Sequence, residues 1–288
     1  MEVWLFYSLI AALLLGFFSF TTKIASERKL DETYILFFLY LFSSIYSVIY
    51  LFLFGEFILN SITIIIAVIM GIGYPYVLKT RLISLRYISA STYFINYRIF
   101  SSTILLGLGV LIFSEVLNYF QLLGILIGFL VFYLLLEKKT SSETNVEFKK
   151  GILFLFIGIV LVSLLHVAAK YNAVNNPEFF TYNLLHFTIG TIFFIFTKFD
   201  KIKQINSKTK NIKFIIWFSA LQGLLFSGNG MFFYYAYQVG NLAIVYKTIS
   251  YSLFIPVVLS IIVYKEKVDF KKVIAFVLTV VSIYLFTI

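Results

Sequence analysis

Ten long apolar runs follow one another along this chain. They lie near Val3–Thr22, Thr33–Phe54, Leu59–Leu78, Ala90–Phe113, Tyr119–Leu136, Gly151–Tyr171, Pro177–Thr197, Ile212–Tyr237, Leu242–Tyr264 and Val273–Ile288. About 20 such residues, rising roughly 1.5 Å each as a helix, cross the ~30 Å of hydrocarbon in a bilayer. The runs are too long, and too free of polar alternation, for barrel strands. They predict an all-α integral membrane protein with ten transmembrane helices. Composition agrees, with 61% hydrophobic residues, 12% charged and a mean hydropathy of +0.98, where soluble domains carry about 25% charge. That excludes a soluble globular enzyme, a disordered chain and a nucleic-acid module, despite a formal net charge of +10. There is no cysteine and there are only two histidines. Thiolate chemistry is therefore ruled out, a histidine-rich metal centre is disfavoured, and no cofactor is expected.

The charges are one-sided. Basic residues follow the first run (Lys23, Arg28, Lys29), the third (Lys79, Arg81, Arg86), the fifth (Lys138, Lys139, Lys149, Lys150), the seventh (Lys198, Lys201, Lys203, Lys208, Lys210, Lys213) and the ninth (Lys265, Lys267, Lys271, Lys272). The alternate loops carry almost none. By the positive-inside rule the odd-numbered loops face the cytoplasm of a cell membrane and both termini lie outside. The first run precedes its basic residues and reads as a span, not a cleaved leader. The polar stretch at 138–150 divides the chain into a five-helix unit at 1–137 and another at 151–288.

The two units echo each other. Ser114-Glu115-Val116-Leu117-Asn118-Tyr119 aligns with Lys265-Glu266-Lys267-Val268-Asp269-Phe270, and Tyr133 falls opposite Tyr284. A repeat with an odd number of spans inserts in opposite orientations, which predicts a 5+5 inverted repeat. Together with Arg86-Tyr87-Ile88-Ser89-Ala90-Ser91 and Gln121-Leu122-Leu123-Gly124 in the first unit, and Pro256 ten residues before Glu266 in the second, the pattern resembles the drug/metabolite transporter superfamily. The similarity is to its ten-helix branch of paired EamA-type repeats. The first unit departs from it, with Leu105 where Pro256 would correspond. The resemblance implies a solute carrier with a central cavity, not an enzyme. The carrier would act on a small-molecule substrate from within the lipid bilayer, as a monomer or a homodimer.

Ionisable groups inside spans usually face a cavity or a partner. Arg98 stands about eight residues into the fourth run and Lys247 about six into the ninth. Each follows a tyrosine (Tyr97, Tyr246) and has a serine three residues on along the same face (Ser101, Ser250). In an inverted repeat these two helices meet near the axis, so the two cations form a candidate anion site; the alternative is that their long stems snorkel to the interface. His166 and Lys170 share a face of the sixth run and are further candidates. Asn183 and His186 suit an interhelical hydrogen bond. Gln222 and Asn229 share a face of the eighth run, either lining the cavity or binding neighbouring helices. Gly228 and Gly230 beside Asn229 suggest close helix approach. Glu115 and Glu266 sit at helix ends, where a structural cap is the simpler role. No acid lies deep in a span. The expected function is secondary active transport, by alternating access, of a small organic anion or zwitterion. An exporter of neutral amino acids or apolar metabolites is the alternative, and a lipid-handling membrane protein a third.

Overall fold

A computed structural model describes residues 3–114, 118–135, 142–175, 178–205, 211–240, 242–266 and 270–287. Glu115 lies outside them, and so does the side chain of Lys247, whose backbone is described. The described residues contain helices and no strands. The helices are α1 Val3–Glu27, α2 Glu32–Phe54, α3 Ser61–Tyr87, α4 Ala90–Phe113, α5 Tyr119–Leu135, α6 Ser142–Asn175, α7 Phe179–Lys203 and α8 Ile212–Val239. The ninth span is α9 Leu242–Ser250, a 3₁₀ turn at Tyr251–Leu253 and α10 Phe254–Tyr264; α11 is Phe270–Thr287. Seven helices (α1–α4 and α6–α8) are long and apolar enough to cross a membrane. Large apolar side chains such as Phe52, Phe196 and Trp217 are exposed around the outside, as a lipid-facing surface requires.

Side chains start several helices by taking up their orphan N–H groups. Asp31 accepts from Thr33 and Tyr34 at α2, Asn60 from Thr63 at α3, Ser89 from Thr92 at α4, and Glu178 from Phe180 and Thr181 at α7. Four helices outrun their apolar stretches, among them α7, which continues past Thr197 to Lys203. α1 continues to Glu27, taking in Lys23, and α3 continues to Tyr87, taking in Lys79, Arg81 and Arg86. α6 begins at Ser142, so the second part of the polar stretch at 138–150 is helical. The ninth span is broken where Pro256 has no N–H for the Ser252 carbonyl. That carbonyl meets Gly16 of α1, where a Cβ would lie 2.9 Å from it. Pro75 likewise deprives the Gly71 carbonyl, which faces Gly190 of α7, where a Cβ would lie 3.2 Å from it and closer still to the Tyr40 ring. Each proline thus leaves a carbonyl opposite a glycine on a neighbouring helix. Gly228 and Gly230 make only ordinary contacts; the close approach on α8 is at Gly223, against the Phe42–Ser43 backbone of α2.

The most extensive packing is α3 on α6, α1 on α8, α5 on α11, α2 on α7, α2 on α8 and α3 on α7. Exchange each helix for the one five spans on, so that α1 trades with α6, α2 with α7 and α3 with α8. The set of pairs is then unchanged. The weaker pairs α4 on α6 and α1 on α9 exchange in the same way.

Candidate functional site

α4 holds the centre of the site because it is enclosed on all sides: residues 90–99 are all buried. Arg98 is 3% exposed, so it does not snorkel to the interface. Its Nη1 donates to the Tyr246 hydroxyl of α9 at 3.4 Å. Its guanidinium carbon lies 5.7 Å from the ring centres of both Tyr97 and Tyr246. The Tyr246 hydroxyl also hydrogen-bonds Ser101 at 2.8 Å. Ser250 is one step aside: it donates to the Tyr246 carbonyl and pairs with Ser102. The structure therefore brings Arg98, Tyr97, Ser101 and Tyr246 into one cluster. It places Ser250 in the seam between the two symmetry-related helices.

Arg81 of α3 also belongs to this cluster. It was expected in a loop, yet it is 3% exposed, with its guanidinium carbon 5.1 Å from the Tyr97 ring centre. Nε and Nη1 of Arg81 and Nε of Arg98 lack a well-aligned hydrogen bond, and the hydroxyls of Tyr93 and Tyr97 lie within reach of the Arg81 side chain. Among the described residues neither arginine forms an ion pair. The acids pair elsewhere, with Lys23, Arg86 and Lys201. The signal for Arg81 is a helical rhythm of buried positions beyond the apolar run, Val77, Leu78, Arg81, Leu82, Ser84 and Leu85.

Beside the arginines lies a cavity of about 60 Å³, room for a few waters at most. It sits between α3, α6, α7 and α8, walled by Tyr74, His166, Tyr182, His186, Asn229 and Tyr237 among others, with no Asp, Glu, Lys or Arg. Its Tyr74 and His166 lie within electrostatic reach of both Arg81 and Arg98. His166 stacks on Phe233 at 4.9 Å between ring centres, meets the Tyr246 ring edge-on and lies 3.4 Å from the Tyr237 hydroxyl. It thus joins the cavity to the arginine cluster. Lys170 does not join it. Its Nζ donates to the Tyr237 and Gly240 carbonyls at 2.6 and 2.7 Å, covering the C-terminal end of α8. Asn183 donates to Ser47 of α2, and Gln222 to Thr21 of α1, so both bind helices, Asn183 from the cavity wall. Asn229 lines the cavity.

The ends of the odd-numbered connections gather on one face and are paired. Arg86 meets Glu32 at 2.6 Å and Lys201 meets Asp31 at 2.7 Å. Buried Lys23, also expected in a loop, holds Glu27 at 2.6 Å and Glu266 at 3.5 Å. Glu266 accepts the Ala90 N–H at the start of α4. Partial burial acts to raise the pKa of Asp31, but the Lys201 ammonium and the Thr33 and Tyr34 N–H groups outweigh it. They hold the carboxyl below its ordinary value.

Apolar helices around a small cavity beside buried cations make this a multi-pass membrane protein. Residues 149–288 match the sequence model of the EamA-like transporter family, in keeping with the drug/metabolite transporter superfamily. Members of that family are membrane transporters of small molecules, not enzymes, and the match covers just under half of this chain. No curated protein matches the sequence. A solved structure titled only "Crystal structure of protein" is 14% identical, covers 98% of both chains and superposes with a TM-score of 0.66; at that identity the likeness concerns the fold alone.

Proposed function

We propose that the protein is a secondary transporter, working as exporter or exchanger in the cell membrane, for a small organic anion or zwitterion. The observation that carries this reading is a buried arginine pair with no acidic partner among the described residues, beside an aromatic cavity. A desolvated cation without a counter-charge is costly, and a substrate carboxylate or phosphate supplies the missing partner. Arg98 is the anchor, with Tyr97, Ser101 and Tyr246 orienting it, while His166 and Asn229 face the body of the solute; Lys247 is a second cation from the paired helix. Transport would then proceed by alternating access, the halves 1–137 and 151–288 rocking about the site. The uncharged cavity wall favours a second reading, a neutral aromatic or apolar metabolite.

The test is uptake into vesicles containing the purified protein, comparing anionic, zwitterionic, neutral and cationic solutes. Anions or zwitterions should be carried, and Arg98→Gln should weaken their binding by about 10- to 150-fold, the worth of one charge-assisted hydrogen bond. Unchanged affinity in that variant, or transport of neutral solutes only, rejects the anion reading. The orientation, with termini outside and residues 138–150 in the cytoplasm, is checked by placing a single cysteine at exposed Lys149. The chain has none of its own. Reaction with an impermeant thiol reagent in intact cells would reverse the topology.

A further inference from the structure

We infer that Arg81 is a second anion-binding residue and that the transported solute carries two negative charges on one group. This deepens the reading of Arg98 as the anchor and rests on it. Arg81 and Arg98 come from different helices, α3 and α4, and their guanidiniums flank one ring, Tyr97, at 5.1 and 5.7 Å. Both are 3% exposed; between them three nitrogens lack a well-aligned hydrogen bond, and the neutral hydroxyls of Tyr93 and Tyr97, within reach of Arg81, bring no counter-charge. Contact with the Tyr97 ring offsets part of the desolvation of each cation. It leaves those N–H groups short of aligned acceptors and does nothing for the repulsion between two like charges in a low-dielectric interior. A singly charged carboxylate answers one guanidinium and leaves the other uncompensated. A group with two negative charges, such as a phosphate monoester, neutralises both and offers several oxygens to those N–H groups. No carboxylate of the protein competes for them among the described residues; the nearest pairing on α3 is Arg86 with Glu32 at the rim. The cavity next to them, walled by Tyr74 and His166, takes the uncharged remainder of the solute.

The experiment compares two probes of similar shape in direct binding to the purified full-length protein. Phenyl phosphate gains its second charge near pH 6, whereas methyl phenyl phosphate carries one charge throughout. The wild type should bind phenyl phosphate about tenfold or more tightly than the diester at pH 8, with the preference fading at pH 5. Arg81→Gln should abolish the preference while leaving the diester within about twofold of its wild-type affinity. Arg81→Lys, which keeps the charge, should retain most of the preference and reports on folding. Equal binding of the two probes by the wild type at pH 8 overturns the inference, as does an equal loss for both probes in Arg81→Gln. Either result leaves Arg98 as the anchor for a single charge. Binding of neither probe by the wild type overturns the Arg98 reading as well. Should Arg81→Gln fail to fold, the pH dependence of the wild-type preference, with Arg81→Lys, still decides.

Discussion

Two groups of buried or half-buried charge differ in one respect. At the face where α1, α3, α7 and α10 end, four acids have a cation: Lys23 with Glu27 and Glu266, Arg86 with Glu32, Lys201 with Asp31. One turn and more deeper, Arg81 and Arg98 have tyrosine rings and hydroxyls but no acid. The first arrangement fastens helix ends together, and Glu266 shows how, since one of its oxygens takes both Lys23 and the first N–H of α4. The second leaves charge uncompensated, which is useful only if something arrives to compensate it. Paired charge should therefore govern stability, and unpaired charge should govern binding.

The largest effect expected on that contrast is at Lys23. Replacing it with Met leaves Glu266 in a largely buried place with one N–H partner and Oε2 unmatched. Breaking a buried pair from one side costs about 3–5 kcal/mol. The thermal midpoint of Lys23→Met in detergent should fall by several degrees. Because the pair is coupled, Lys23→Met with Glu266→Gln should cost less than the two single losses added. A midpoint equal to wild type would mean that the rim pairs are ornamental and the contrast is empty.

Arg98 should behave in the opposite way. Arg98→Gln removes a charge that no protein carboxylate balances. Its midpoint should be unchanged or raised, even as anion affinity drops by the 10- to 150-fold expected of a lost charge-assisted bond. Stability gained at the expense of function is the signature of a binding residue. If Arg98→Gln instead melts early in the absence of any solute, the residue is holding the helices together. It then belongs with the rim.

The contrast was only half legible in the sequence. Arg98 sits in the middle of an apolar run, so its burial could be read from hydropathy alone. Arg81 and Lys23 could not be placed that way. Both lie just past the end of such a run, among other basic residues that look like a loop. What buries them is tertiary: α3 continues for another two turns because α6 packs along it and α1 crosses it. α1 keeps Lys23 inside because Glu266 arrives from the other half of the chain. The same limit applied to Lys170. Its helix position made it a candidate beside His166, but the carbonyls it binds belong to α8. The break in the ninth span was visible as Pro256, and the halves as the echo of Glu115 in Glu266. The narrowness of the cavity, set by how aromatic rings from four helices meet, had no local signature.

The smallest effect expected is at the outermost pair, and its pH dependence gives its sign. Asp31 is held below its ordinary value of 3.8 by Lys201 and two N–H groups, against the opposing effect of partial burial. A carboxyl depressed in the folded state contributes stability above its unfolded value. That contribution is lost as pH falls through the folded value. Asp31→Asn should therefore melt slightly below wild type from pH 7 down to about pH 5. The gap should close only in acid, below about pH 4. Because Asp31 and Lys201 are both substantially exposed, the pair is worth under about 1 kcal/mol, and less at high salt. Asn keeps an oxygen for the α2 cap, so the gap reports the charge and not the cap. A gap that persists unchanged at pH 3 would assign it to lost capping geometry. A gap of several degrees at pH 7 would place Asp31–Lys201 with the buried Lys23 pair, and the face would be fastened at two points instead of one.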